Sequence, residues 1–254
     1  KRAVVFSIKE GPRVKVGNIS FEGNNAFSDK KLRKQFRSRY RWYHVLFSGR
    51  YNKKKFENDL ERLRRFYLNH GYLDYKLEEV EKSVSDNDKW LRMTVTLQEG
   101  EPYELSSITF EGNEYFGDNE LRELLTFSEG EHYSVRGVQK GVQQIRRRYR
   151  DHGYMDVRCR SDYVADSEEQ VVELTYSINE DGTFEVRDIL VDGNTITQED
   201  VIRRELAVQP GEELTGKSLR TTRNRLRNLG YFKSVKMATM STEEAGEKDV
   251  PFTV

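Results

Sequence analysis

The side chains of this sequence that could do chemistry are two repeated histidines and one cysteine. His70 and His152 each stand directly before a Gly-Tyr pair, and Leu229 replaces them before the third pair. Metal binding or acid–base catalysis would need further His, Cys or Asp side chains at ligand or triad spacing, and the sequence contains no such spacing. We therefore expect the histidines to lie in a last helical turn, where a cation-capable side chain is favourable.

The other candidates for catalysis are equally sparse. Cys159, the single cysteine, occupies the position that Leu77 holds in an earlier copy of the repeat described below, which predicts a buried apolar thiol. The sequence has no Gly-rich phosphate loop and no Ser/His/Asp pattern. It predicts a protein that is not an enzyme and has no metal site, cofactor or catalytic residue.

Charge balance argues against nucleic acid as a partner. Lys and Arg together number 43, as do Asp and Glu, so the chain has no net field to gather polyanions. The basic runs at 62–65 and 146–150 lie on the polar side of predicted amphipathic helices with acids nearby, which indicates a solvated face or, alternatively, a partner-docking face. No run approaches the ~20 apolar residues that a membrane helix needs.

Two dipeptides, Gly-Asn and Gly-Tyr, alternate along the chain, each occurring three times, and together they define a repeat. Apolar residues alternate before each Gly-Asn pair, as a half-buried strand requires, and their phase changes upstream, which indicates a bulge or a junction with the preceding unit. The turn residues are Gly23, Asn24, Gly71, Tyr72, Gly112, Asn113, Gly153, Tyr154, Gly193, Asn194, Gly230 and Tyr231.

Helical patterns fill the space between the two dipeptides, and a hairpin follows the second. Ser28 and Thr197 are predicted N-caps of a first helix. A second helix ends at each Gly-Tyr pair, so we predict positive φ at Gly71, Gly153 and Gly230. Each unit is therefore β-α-α-β-β, an α+β fold with a three-stranded sheet and two helices on one face.

The repeat sets the expected domain boundaries. Modules are predicted at 13–101, 102–182 and 183–254, with the third truncated in its last strand. Residues 1–12 match the ends of the return strands, which predicts the last strand of a preceding, truncated module. The first module differs from the others by an aromatic insert at 37–50, in which Trp42, Tyr43 and Phe47 either form a contact loop or pack onto their own module.

This order of elements, with Phe-Glu-Gly-Asn closing a strand and Gly-Tyr closing a helix, resembles the POTRA module of the outer-membrane assembly superfamily. The aromatic insert, followed by a basic cluster and a helix, is similar to the third POTRA module of BamA-like outer-membrane protein assembly factors. The second copy is then fourth-like. The last copy, with Arg-Arg-Glu in its first helix and Asn-Leu-Gly-Tyr-Phe after its second, is similar to the fifth.

The resemblance implies a binding protein at the periplasmic face of the bacterial outer membrane. Its expected partners are unfolded outer-membrane proteins, accessory lipoproteins and a membrane β-barrel at the C-terminal end of the same chain. Lipoprotein docking is expected at Arg203, Arg204 and Glu205, in a first helix predicted at 199–206. The alternative is a POTRA adaptor of a secretion-partner transporter or of a cell-division protein.

Strand addition is the expected mode of substrate binding. The strand after Gly-Tyr can pair with its return strand on one side only, so its other side offers unpaired backbone groups. We favour the strand predicted at 73–84 over those at 155–166, which alternates charges, and 232–240, which is short. The alternative is that these edges are only tolerated in the fold and protected by charge. Its candidate site residues are Leu73, Asp74, Tyr75, Lys76, Leu77, Glu78, Glu79 and Val80.

Overall fold

A computed structural model describes residues 15–37, 51–85, 90–241 and 246–253. The strand predicted at 1–12 lies outside these ranges, as do Trp42, Tyr43 and Phe47 of the predicted contact loop. Within the described ranges the chain divides into two compact units. The first contains the residues up to Glu104 together with Gly130–Val135 and Ala165–Val171, and the second contains Leu105–Glu129, Arg136–Val164 and the residues from Val172 onward.

The helices and strands repeat in the predicted order. The first module contains β1 (Lys15–Glu22), α1 (Asp29–Leu32), α2 (Lys53–Leu68), β2 (Lys76–Val84) and β3 (Trp90–Gln98). The second contains β4 (Glu104–Glu111), α3 (Asp118–Arg122), α4 (Val135–Arg150), β5 (Arg158–Asp166) and β6 (Val171–Asn179). The third contains β7 (Glu185–Asp192), α5 (Glu199–Arg203), α6 (Gly216–Asn228), β8 (Lys236–Met237), β9 (Met240–Ser241) and β10 (Glu247–Thr253).

The return strand occupies the centre of every sheet. The strand orders are β1-β3-β2, β4-β6-β5 and β7-β10-β8, with β9 also pairing with β10. In the first module β1 runs parallel to β3, whereas β2 runs antiparallel to it. The predicted α+β modules are confirmed, but the third sheet has four strands rather than three, because both β8 and β9 pair with β10 on the side away from β7.

A bulge explains the phase change in the first strand. Val16 pairs with Leu91 and Ile19 pairs with Met93, so β1 has one residue more than its partner between these pairs. Both Val16 and Ile19 are fully buried. The bulge lets buried residues three apart face the same core, which excludes the junction alternative here.

The Gly-Asn turn is fastened by its asparagine rather than by the predicted serine cap. The Ser28 side chain makes no capping hydrogen bond. Instead the Asn24 amide donates to the Phe27 carbonyl at 2.9 Å, and Asn113 makes the equivalent bond to Phe116 at 2.9 Å. Ser28 does occupy the predicted N-cap position, whereas the cap predicted at Thr197 is wrong by one residue, because α5 begins after Gln198.

A buried carboxylate joins this turn to the second helix and the return strand. Glu99, only 7% exposed, accepts hydrogen bonds from the N–H groups of Asn25 and Ala26, both at 2.8 Å, and from the Tyr67 hydroxyl at 2.7 Å. Burial and the bond to Glu99 raise the pKa of Tyr67 far above its usual value, so its hydroxyl remains a donor. Three elements distant in sequence are thereby held at one point.

The predicted helix-ending glycines adopt the left-handed conformation. φ is +92° at Gly71, +90° at Gly153 and +72° at Gly230. Glycine is required at these positions because, in the left-handed region of φ and ψ, a Cβ atom clashes with the neighbouring backbone carbonyl. The assignment of these glycines as helix-ending residues is confirmed.

Replacing Gly112 by Ala should destabilise its module more than replacing Gly230 by Ala. Both glycines have positive φ, but a Cβ at Gly112 would lie 2.2 Å from the Ile178 carbonyl oxygen, whereas one at Gly230 has no described atom within 4 Å. We expect losses of about 2–5 kcal/mol for Gly112→Ala and about 1–2 kcal/mol for Gly230→Ala in urea unfolding followed by circular dichroism. Equal losses would show that the backbone contact is unimportant.

Candidate polypeptide-binding edge

β2 is an outer strand whose residues are almost all exposed. It pairs with β3 on one side, and the strand order places no described strand on its other side. The expected start of this edge is wrong: Leu73, Asp74 and Tyr75 lie in the turn before β2, which begins at Lys76. The expected edge therefore shrinks to Lys76–Val84.

The register identifies which backbone groups of β2 point outward. The Ser85 N–H donates to the Trp90 carbonyl at 2.8 Å, so these two residues form a hydrogen-bonded pair. Because such pairs alternate along an antiparallel ladder, the N–H and C=O groups of Val80, Lys82 and Val84 face away from β3. Three consecutive outward positions give an added strand a continuous row of partners.

A bulge interrupts the row near its start. Leu77 pairs with Leu97 and Glu79 pairs with Thr96, so Glu78 is the extra residue. Bulges disrupt pairing and increase the local twist. The regular part of the edge is therefore 79–84.

The two faces of β2 differ in chemistry. Val80 and Val84 are opposite the buried Val95 and Leu91, on the helix side of the sheet. Lys82 shares that side, and its Nζ donates to the Tyr51 hydroxyl at 3.0 Å. The other face carries Lys76, Glu79, Glu81 and Ser83, opposite exposed or half-buried residues of β3.

Tyr75 fixes the approach to the edge although it lies outside the strand. It is 7% exposed and stacks on Tyr67 with ring centroids 4.6 Å apart. Burial raises the pKa of Tyr75 to about 12, although the nearby Arg64 opposes the shift. The ring is thus a neutral core residue that holds the start of β2 against α2.

An open cleft adjoins the bulge. Its volume is about 720 Å³, and its lining includes Gly23, Tyr72, Glu78, Leu97 and Glu101. Burial, followed by the charges of Glu99 and Glu101, raises the pKa of Tyr72. The cleft leaves room beside the edge for the side chains of a bound segment.

The other two candidate edges differ from β2. β5 begins at Arg158 rather than at 155 and exposes Tyr163 and Val164, at 52% and 69%. In the third module the outer strand is broken into β8 and β9, of two residues each. Cys159 at the start of β5 is buried as expected, and burial raises the pKa of its thiol to about 11.

Arg203 is engaged within its own module. Its guanidinium donates to Glu199 at 2.7 Å and to the Ile189 carbonyl at 3.2 Å. The predicted helix at 199–206 is also too long, since α5 is Glu199–Arg203 and leaves Arg204 and Glu205 beyond it. Arg204 is exposed and bonds only weakly to the Asp200 carbonyl, at 3.3 Å, in a cleft of about 510 Å³ that Gln209 also lines.

In all three modules an arginine of the first-helix region donates a hydrogen bond to an isoleucine carbonyl of the first strand, a contact we call the arginine clamp. Sequence reasoning missed this contact. Arg33 donates to the Ile19 carbonyl at 2.6 Å, and Arg122 to the Ile108 carbonyl at 2.9 Å. Each arginine stands 14 residues after the isoleucine. The constant spacing of isoleucine and arginine is visible in the sequence. Because the acceptor is a backbone carbonyl, however, the spacing alone does not indicate that the two residues form a hydrogen bond.

The histidines lie two residues beyond the ends of α2 and α4 rather than within the last helical turn as predicted, but their rings reach back to it. Nδ1 of His70 is 2.6 Å from the Phe66 carbonyl, and Nδ1 of His152 is 2.9 Å from that of Arg148. Each ring therefore donates to the last helical turn. Among the described residues, no group of three His, Cys, Asp or Glu is placed to hold a metal ion.

The profile of the POTRA family, described as a surface antigen variable number repeat, matches residues 14–100, 103–181 and 184–254. The chain belongs to the POTRA family. Its three POTRA modules account for the repeated strand, helix and turn geometry above. In the described part of the chain, no helix is long and apolar enough to cross a membrane.

The chain is similar in sequence to outer membrane protein assembly factors. The chain is 26% identical over 255 residues to the outer membrane protein assembly factor BamA of Buchnera aphidicola, covering 99% of this chain and 41% of that protein. It is 27% identical to BamA of Neisseria meningitidis, covering 91% of this chain and 29% of that protein. The chain thus spans less than half the length of these relatives.

A solved structure confirms the fold of the three-module array. The crystal structure of Haemophilus influenzae BamA POTRA3-5 superposes with a TM-score of 0.73 at 22% identity, covering 97% of this chain and 98% of that one. The resemblance to a BamA-like POTRA region is confirmed, and the three modules match the POTRA3-5 fragment in fold.

The arginine clamp predicts different effects for two neighbouring residues. Arg203→Ala removes the bonds to Ile189 and Glu199 and should destabilise the third module by about 1 kcal/mol, whereas Arg204→Ala should change stability by less than about 0.5 kcal/mol. Hydrogen exchange of the β7 amides, measured by mass spectrometry, should therefore be faster in Arg203→Ala than in Arg204→Ala. Equal protection in both variants would contradict a structural role for Arg203.

Proposed function

We propose that this chain is a polypeptide-binding scaffold for outer-membrane protein assembly, and that it receives unfolded outer-membrane proteins by strand addition at β2. The observation that carries the proposal is the outward row of backbone groups at Val80, Lys82 and Val84 on an exposed outer strand. The role in assembly rests on the similarity to BamA proteins. The chain would act at the periplasmic face of the outer membrane, by binding rather than by catalysis.

Backbone pairing suits a receptor for many different β-strands. An added strand satisfies its own N–H and C=O groups against those of β2, whatever its side chains are. Alternate side chains would contact either the Val80 and Val84 side or the Glu79 and Glu81 side. Backbone pairing with β2 would therefore supply most of the affinity for an added strand, and contacts of its side chains would supply only modest sequence selectivity.

The charges of β2 keep the edge available without self-association. Glu79, Glu81 and Lys82 place charges on both faces of an otherwise open strand. Charged side chains on outer strands, especially lysine pointing inward, oppose edge-to-edge pairing of folded proteins. An unfolded chain can adjust its register to such charges, whereas a second rigid edge cannot.

Docking of accessory lipoproteins is the second part of the proposal. Arg204 and Glu205 lie at the end of α5, beside the cleft that Asp200 and Gln209 line. Arg203 supports this surface by holding α5 to β7. Trp42, Tyr43 and Phe47 stay a proposed contact loop of the first module.

Proline at Lys82 tests strand addition. Lys82→Pro removes an outward N–H, and the matched variant Lys82→Ala loses the same contact to Tyr51 but keeps the N–H. We expect crosslinking to a urea-diluted, unfolded outer-membrane β-barrel protein to fall about fivefold or more in Lys82→Pro and to change little in Lys82→Ala. Circular dichroism must show both variants folded, and equal crosslinking would rule out addition at this edge.

Charge reversal at Arg204 tests docking. Arg204→Glu should reduce the capture of outer-membrane lipoproteins by the immobilised chain while leaving the unfolding transition unchanged, because Arg204 supports little of the fold. Arg227→Glu, an exposed reversal near the end of α6, serves as the control. Undiminished capture by Arg204→Glu, or an equal loss with Arg227→Glu, would remove this surface from the proposal.

A further inference from the structure

A groove lined by arginines runs between α4 and α6, within the second compact unit. α4 contributes Arg146, Arg147 and Arg150, and α6 contributes Arg220 and Arg223. On α4 Arg150 lies about one turn after Arg146 and Arg147, and on α6 Arg223 lies about one turn after Arg220, so the arginines extend along both helices. The free volume between them is about 380 Å³.

The close approach of the two helices fixes one end of the groove. A Cβ at Gly216, the first residue of α6, would lie 3.2 Å from the Cβ of Arg150 and 3.1 Å from Oδ1 of Asp151. Glycine therefore allows the start of α6 to meet the end of α4. The groove is built by backbone packing and does not depend on flexible side chains alone.

The positive charge of the groove is only partly balanced. Asp151 pairs with Arg220 at 2.5 Å and lies 4.0 Å from Nε of Arg147. In the described ranges no carboxylate pairs with Arg146, Arg150 or Arg223. A guanidinium remains charged at any physiological pH, so the excess is permanent.

Two donor atoms in the groove are shielded from water and unused. Nε of Arg146 and Nε of Arg223 are buried and donate no hydrogen bond to any described residue. Nε of Arg150, by contrast, donates to the Met155 carbonyl at 3.2 Å. Because these two Nε atoms are buried, a ligand in the groove would be bound by the terminal nitrogens of the guanidinium groups, which match the two oxygens of a carboxylate.

We propose that this groove binds an acidic polypeptide segment in which carboxylates alternate with apolar side chains. The spread of guanidinium groups along two helices matches a row of carboxylates better than a single small anion. Met155 and Leu219 lie among the arginines and give apolar side chains a surface to cover. The site is independent of the β2 edge, which belongs to the other compact unit.

Fluorescence anisotropy with two labelled peptides tests the site. A short peptide of alternating Glu and Leu should bind, and the same peptide with Gln in place of Glu should bind at least about tenfold more weakly. Arg223→Gln should weaken binding of the Glu peptide roughly tenfold. The matched control Arg225→Gln removes an exposed charge from the same helix outside the groove and should change binding by less than about twofold.

A second variant covers the case in which Arg223→Gln does not fold. Gln143 lines the groove from an exposed position, so Gln143→Glu adds a carboxylate without disturbing the core and should also weaken binding several-fold. Equal binding of both peptides, or equal loss in Arg223→Gln and Arg225→Gln, would overturn the proposal. So would binding to vesicles of phosphatidylcholine with phosphatidylglycerol in the absence of peptide binding, because the occupant would then be a lipid surface.

Discussion

Glu99 and Glu180, at the ends of the return strands, hold together parts of the modules that lie far apart in sequence. Each accepts a hydrogen bond from the tyrosine of the second helix and from backbone N–H groups of the Gly-Asn turn. Glu99 is buried and Glu180 is half-buried, and a carboxylate removed from water is costly unless donors surround it, so the turn, the helix and the strand must be placed together. The outer hairpin strand takes no part in this network, which leaves it free to remain an open edge.

The third module keeps the backbone plan but loses several of these contacts. Leu226 stands where the other modules have the buried tyrosine, and Leu229 stands where they have histidine. Thr197 stands where the first two modules have Phe27 and Phe116, and Tyr231, whose counterparts Tyr72 and Tyr154 pack into aromatic clusters, is 67% exposed. The repeat therefore preserves the geometry of turns and strands while changing the surface of each copy.

Two surfaces on this scaffold differ in the chemistry of recognition. The β2 edge offers backbone groups, which bind an extended chain with little regard to its sequence. The groove between α4 and α6 offers guanidinium groups, which select for carboxylates. On the two proposals above, the β2 edge would tolerate sequence and the groove would discriminate by charge, so the two surfaces together would separate general capture from specific docking.

The sequence by itself determined the repeat, the element order and the helix-ending glycines. These features depend on local physics, namely the periodicity of apolar residues and the need for glycine at positive φ, so Gly71, Gly153 and Gly230 could be assigned without a structure. The start of β2, the clamp role of Arg203 and the groove around Arg223 were decided only by tertiary structure. Each depends on a backbone carbonyl, a strand register or a neighbouring helix that is distant in sequence, and such partners leave no pattern in the chain itself.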